Sequence, residues 1–236
     1  MHNYNRILFA VLFCLVICQT NVQGQNRVAG SAINKRDVPQ SGSVSSIVPA
    51  KPLAPDAKNS ISAIRAFTGL TKAAFDAKMK SMGFVEAADE IGMPGQAYKS
   101  KSADYMLAVK YGTRGQGEFV REIFKGTLYK SPDFPAIKKT FLDLGKQCTD
   151  LKAKFSGGFI KELTDNSSPK NIRNSEERTS NFLPAIDKMI STKEDGGAVD
   201  GYAEKDYDYI ITYRYTKAYS SALIIIHVVD KTLVSK

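Results

Sequence analysis

The chain has no tryptophan, two histidines and three cysteines in 236 residues. Each scarcity removes a class of chemistry. Cys14, Cys18 and His2 all lie near the start of the chain, in a segment with the layout of a removable leader, which leaves Cys148 and His227 beyond it. A lone cysteine closes no intrachain disulfide, so the fold must rest on its apolar core. A lone histidine excludes a zinc site built on two or three histidines of one chain. Any Ser-His-Asp triad or Cys-His pair would have to use His227, and no Gly-x-Ser-x-Gly sequence supplies a serine nucleophile. Long apolar runs are scarce too. Ile7–Cys18 has twelve residues and Ala222–Val229 eight, against the roughly 20 that a spanning helix takes. No transmembrane anchor is expected, and the second run reads as a buried strand.

The first run carries an address. Arg6 precedes the apolar stretch, and Val22-Gln23-Gly24 places a β-branched and a small residue before Gln25. That is the three-part pattern of a secretory signal peptide over residues 1–24, cleaved before Gln25. Export to a periplasm or to the outside is the expectation. Lipid attachment at Cys18 is disfavoured because bulky Ile17 stands where a small residue is needed. Loss of Arg6 lowers the formal charge from +9 to +8. Residues 25–58 are rich in Ser, Ala, Pro and Val, with Pro39, Pro49, Pro52 and Pro55, and are expected to be a disordered linker. Lys35-Arg36 within it reads as solvated charge, with dibasic processing as the alternative.

Order is expected from residue 59. Ile61, Ile64 and Phe67 predict a short helix. Thr71 caps a second, with Phe75, Met79 and Met82 on one side and Gly83 at its end. Strands follow at 84–89, 97–101, 105–111 and 118–129, with Tyr105, Leu107, Val109 and Tyr111 of the third alternating with Met106, Ala108 and Lys110, and Gly112, Gly115 and Gly117 marking the last turn. Ser131-Pro132-Asp133 opens an amphipathic helix whose stripe runs Phe134, Ile137, Phe141, Leu144, Cys148, Leu151 and Phe155, closed by Gly157-Gly158. Residues 164–179 read as loop, 181–190 as helix, and 198–203, 207–216 and 221–230 as strands. The fold class is therefore α+β: antiparallel meanders with helices on one face. Its parts would be a first helix-plus-meander half (59–130), a connecting amphipathic helix (131–163) and a second half (164–236), together one unit.

An internal duplication is suggested by an offset of 104 residues. Tyr98, Asp104, Tyr105 and Tyr111 fall on Tyr202, Asp208, Tyr209 and Tyr215, without a gap from Ala97 to Phe124. If the halves are related, each pair must point to the same side of the sheet.

Candidate chemistry is sparse. His227 shares its side of the strand with Leu223, Ile225 and Val229 and reads as a core histidine bonded to a neighbour. Cys148 sits on the apolar seam of its helix, where cysteine acts as a small hydrophobe. Gly112-Thr113-Arg114-Gly115-Gln116-Gly117 lacks the Lys and Ser or Thr of a phosphate loop and reads as a hairpin turn. Asp206 with Asp208, or Glu86 with Asp89 and Glu90, are carboxylate pairs whose separation a sequence does not set. Asn166-Ser167-Ser168 is a glycosylation acceptor in a host with that machinery. No cofactor or metal is expected.

Two binding surfaces are candidates. Tyr98, Tyr105, Tyr111, Tyr202, Tyr209 and Tyr215 would form an aromatic platform if exposed. The alternation of Tyr207, Tyr209, Tyr213 and Tyr215 with polar residues points instead to a core-facing set. From Arg121 to Lys161, nine basic residues meet four acids, and Lys138, Lys139, Lys146, Lys152 and Lys154 are the candidate contacts for an anionic polymer. No nucleic-acid motif accompanies them. The leading expectation is an exported, non-catalytic binding or envelope-associated protein, whose partner is an anionic envelope polymer or another exported protein. The alternatives are a carboxylate-dependent glycan or peptide hydrolase, and an inhibitor or chaperone-like partner of another exported protein.

Overall fold

The computed structural model describes residues 60–88, 92–162 and 170–235. The expected signal peptide and 25–58 linker, with Cys14, Cys18, Lys35-Arg36, Asp89, Glu90 and Asn166-Ser167-Ser168, lie outside the described residues. The helices are α1 (Ile61–Arg65), α2 (Lys72–Ser81), α3 (Phe134–Asp150) and α4 (Ser175–Thr192). The strands are β1 (Phe84–Ala87), β2 (Gln96–Ser100), β3 (Tyr105–Arg114), β4 (Gly117–Lys130), β5 (Lys154–Glu162), β6 (Lys170–Ile172), β7 (Gly196–Ala203), β8 (Tyr207–Thr216), β9 (Ser221–Asp230) and β10 (Val234–Ser235).

Each helix starts at a residue that satisfies its orphan amides. Ser60, Thr71, Asp133 and Asn174 accept from Ala63, Ala74, Ala136 and Glu177 respectively. In α3 the cap is Asp133, two residues beyond the expected Ser131, and Pro135 occupies the first turn, where its missing N–H costs nothing. At the end of α2, Gly83 adopts φ +75°, the left-handed conformation that glycine tolerates best.

All strands join one antiparallel sheet in the order β1-β2-β3-β4-β9-β8-β7-β5-β6, with β10 beside the far end of β3. This is an α+β meander. The trios β2-β3-β4 and β7-β8-β9 run outward in opposite order from a central β4–β9 pairing, in which Phe124 lies opposite His227 and Gly126 opposite Ile225. Ile61, Phe75, Ile137, Phe141, Leu144, Phe182 and Ile186, from all of the described helices, are buried together against one sheet face. No described helix supplies a side chain to the cluster on the other face, where Met106, Ala108 and Phe124 meet Met93 and Ala97. That side is called the helix-free face below.

The sequence expectation needs two corrections. The stripe helix ends at Asp150, and Phe155 and Gly157-Gly158 belong to β5. Glycine at 158 permits close packing there, since a Cβ would lie 2.4 Å from the Val199 carbonyl oxygen and 2.9 Å from the Phe182 ring. The 164–179 segment is not all loop, because it contains β6 and the first turn of α4.

The offset match does not extend to the strand register. Tyr98 pairs with Leu107 but Tyr202 with Tyr209, and Tyr111 pairs with Val120 but Tyr215 with Ala222. The β3–β4 register shifts between Lys110 and Tyr111, leaving Arg121 as the extra residue. Past this bulge the faces diverge: Phe124 lies on the helix-free face, whereas its offset partner Val228 lies in the helix-side core.

Candidate functional site

The tyrosine face is spent on packing. Tyr98, Tyr202, Tyr209 and Tyr215 are buried in the helix-side core, and Tyr105 and Tyr111 are half-buried against it. They form no exposed platform because the helices cover that side. Their hydroxyls serve as struts instead. Tyr98 donates to Asp76 Oδ1 on α2 at 2.8 Å. Tyr209 donates to Glu204 Oε1 at 2.5 Å and accepts from Arg65 Nη1 of α1 at 2.9 Å, while the Arg65 guanidinium lies 3.9 Å from the Tyr207 ring centre. Burial disfavours the charged form of Tyr98, Tyr202 and Tyr209 and pushes their hydroxyls above the usual phenol range.

The deepest polar group on this side is an ion pair. Arg178 of α4 donates from Nε to Asp200 of β7, and from Nη2 to the Phe141 carbonyl oxygen of α3 at 3.1 Å. Its guanidinium stacks 3.8 Å above the Phe141 ring. Burial raises the Asp200 carboxyl, and the Arg178 charge opposes that rise. Gly145 makes room for the pair, since a Cβ there would lie 2.8 Å from Arg178 Nη1. Cys148 is fully buried close by, and burial pushes its thiol up. That thiol is shielded from solvent and is a weak nucleophile.

The five candidate lysines are all exposed, but the charge of those on α3 is offset. On α3 and its cap, Lys138, Lys139 and Lys146 are matched by Asp133, Asp143 and Asp150, and Lys146 pairs with Asp150 at 2.6 Å. Lys152 and Lys154 follow the helix end. Lys125, counted with this basic stretch, is buried on β4 with its ammonium 4.4 Å from the Tyr105 ring centre. The structure therefore does not gather the sequence excess on one face of α3.

The helix-free face holds what the sequence did not single out. At its centre Glu122 of β4 accepts from Arg121 Nη1 at 2.6 Å. The same carboxylate lies 3.1 Å from His227 Nε2 of β9 and 3.6 Å from Lys110 Nζ of β3. His227 stacks on Phe124 with 3.9 Å between ring centres. Burial alone would raise the Glu122 carboxyl, but the bond to His227 and the His227, Lys110 and Arg121 charges outweigh it and hold the group at about 2. Burial pushes the His227 imidazole below its ordinary value, against the pull of Glu122. From this cluster Ile225 and Leu223 continue along β9, both half-exposed, with Thr212 and Arg214 of β8 on one flank and Gly126 and Leu128 of β4 on the other. The alternation that aligns His227 with Leu223, Ile225 and Val229 was readable in the sequence. Glu122 was not, because the bulge at Arg121 resets which residues share a face.

Two of the carboxylates weighed for hydrolysis are engaged or set apart among the described residues. Asp208 pairs with Lys231 at 2.9 Å, and Glu86 lies on the edge strand β1. Among the described residues no group of three His, Cys, Asp or Glu side chains is placed to hold a metal ion. No helix among them is long and apolar enough to cross a membrane. Compared with protein-family models, curated proteins and solved structures, the chain matches none.

Proposed function

We propose that the protein is exported and works by binding, through the helix-free face of its sheet. One observation carries this reading. The helices sheathe the tyrosine-rich face, while on the other Leu128 is exposed and Leu223, Ile225, His227 and Val229 on β9 beside it stay partly exposed, with no helix over them. Aliphatic side chains left at a sheet surface favour contact with something apolar. The nucleophile and base candidates support binding over catalysis: Cys148 is sealed in the core, and His227 is held between Glu122 and the Phe124 ring. Association with the envelope or with another exported protein fits the same face.

Two experiments test the reading. Amino-terminal sequencing of the protein recovered outside the cytoplasm should begin at Gln25; a terminus at Met1, or at a lipidated Cys18, contradicts it. The second uses Thr212→Cys, a half-exposed helix-free position in a protein whose only other cysteine after leader removal is the buried Cys148. A thiol reagent should label this variant quickly when purified and slowly in the compartment where the protein resides. Equal rates in both settings would mean that nothing occupies the face.

A further inference from the structure

The central polar cluster suggests what lies on that face, if the binding reading above is right. With His227 neutral, Lys110 and Arg121 carry two positive charges against the single negative charge of Glu122. Glu122 has its oxygens engaged by three partners. Lys110 is the least enclosed of them, with its side chain 43% exposed and its ammonium 5.5 Å from the Phe124 ring centre. The uncompensated charge is thus available at the surface, at the head of the apolar lane formed by Ile225, Leu223 and Leu128.

This asymmetry selects among occupants. A second copy docked face to face would set surplus positive charge against itself. A neutral apolar partner would strand that charge away from water, which is costly without a counter-charge. A bilayer needs projecting apolar side chains, and Leu128 is the one large apolar side chain of β4 and β9 that is strongly exposed, at 43%. A narrow ligand with one anionic end meets each condition. The four steps along β9 from His227 to Leu223 span roughly 14 Å of strand, the reach of a medium-length acyl chain. Gly126, opposite Ile225, brings no side chain into this lane.

We propose that the β4–β9 seam of the helix-free face binds a free fatty acid, with its carboxylate at Lys110 beside His227 and its chain along Ile225, Leu223 and Leu128. Lys110 provides the counter-charge, and Arg121 is a positioning residue. Arg121 holds Glu122 and donates from Nε to the Leu233 carbonyl oxygen at 3.2 Å, tying the seam to the chain end that carries β10.

The test is calorimetric titration of the protein with dodecanoate below its micelle concentration, with dodecanol as the uncharged control. Dodecanoate should bind one to one and dodecanol at least tenfold more weakly. Lys110→Gln should bring dodecanoate down to the dodecanol level and leave dodecanol unchanged. Leu128→Glu, at an exposed site that tolerates charge, should abolish binding of both. Leu142→Glu, at the exposed leucine of α3 on the opposite side of the molecule's core, should change neither. Absence of dodecanoate binding overturns the proposal, as does equal binding of acid and alcohol that ignores Lys110→Gln. Binding confined to anionic phosphatidylglycerol vesicles would reassign the face to a membrane. A dimer that Leu128→Glu dissolves, without fatty-acid binding, would reassign it to a second copy. If dodecanoate fails while Thr212→Cys is still protected in its native compartment, the ligand class is wrong and the binding face stands.

Discussion

The two faces of the sheet handle polar groups in opposite ways. On the helix side, charge and hydroxyl are drawn into the core and closed off: Arg178 with Asp200, Tyr98 with Asp76, Tyr209 with Glu204 and Arg65. Each of these ties a helix to a strand. On the helix-free side the Glu122 cluster ties strand to strand and fixes no described helix. Its surplus charge faces outward, beside aliphatic side chains that stay half-exposed. The first arrangement serves stability. The second adds an ionic network at the middle of the sheet that packing of the helices does not require. Aromatic content alone is therefore a poor guide to a binding surface, since the tyrosines lie where the helices are.

Breaking the helix-side ion pair should have the largest effect. Arg178→Ala leaves Asp200 buried without its partner, and should cost about 3–5 kcal/mol in urea unfolding. The double change Arg178→Met with Asp200→Leu should recover most of that loss, because it removes both buried charges. Equal losses in the single and double variants would mean that shape, not charge, is what the site needs.

Tyr209→Phe should come next, at about 1–2 kcal/mol, because it deletes the hydroxyl shared by Glu204 and Arg65 without leaving a cavity. On the other face, Leu223→Thr should change stability by no more than about 1 kcal/mol, since the side chain is only half-buried. If Leu223→Thr proved the costlier change, the contrast between the faces would collapse.

Acid should act mainly through the helix-free face. Glu122 is held near 2 in the folded protein against an ordinary value of 4.5, so its contribution is present above pH 4.5 and is lost as pH falls toward 2. His227 is lowered below 6.5, so the unfolded chain takes up its proton first, and stability also falls as pH drops below 6.5. Burial and the bond between these two groups set both, and the Lys110 charge on β3 and the Arg121 charge on β4 add to them, with Asp208 on β8 the next acid along the same face. His227→Gln should flatten the stability profile between pH 6.5 and 5 and also shrink the lower limb, because the bond to His227 is the largest influence that lowers Glu122. Urea midpoints measured across that range check this smallest effect.

Much of this was legible in the sequence, and the failures share a cause. Caps, seams and most strands depend on local pattern, so Thr71, Gly83 and the Phe141 stripe read correctly. Gly157-Gly158 reads as a stop for a helix, but its small residues answer to close packing under Val199 and Phe182, which sequence order does not show. The start of α4 is hidden among polar residues because its first turn is largely exposed, and Pro184 lies within it. The candidate site was half visible. Alternation along β9 groups His227 with Leu223 and Ile225. Alternation on β8 points to its tyrosines as the core-facing side, but β9 is apolar on both sides and does not by itself place His227 away from the helices. The placement of Glu122 needed the bulge at Arg121, and a bulge is a property of two paired strands rather than of one.

The contrast between the faces is tested most directly on β9, where neighbouring residues point to opposite sides. Leu223→Cys and Ile224→Cys differ by one position, yet Leu223 is half-exposed on the helix-free face and Ile224 is buried beneath the helices. Treated with a thiol reagent in the native state, Leu223→Cys should react readily. Ile224→Cys and the native Cys148 should react only as fast as the protein unfolds. Rapid labelling at residue 224, or protection at 223 equal to that at 224 in the purified protein, would contradict the account.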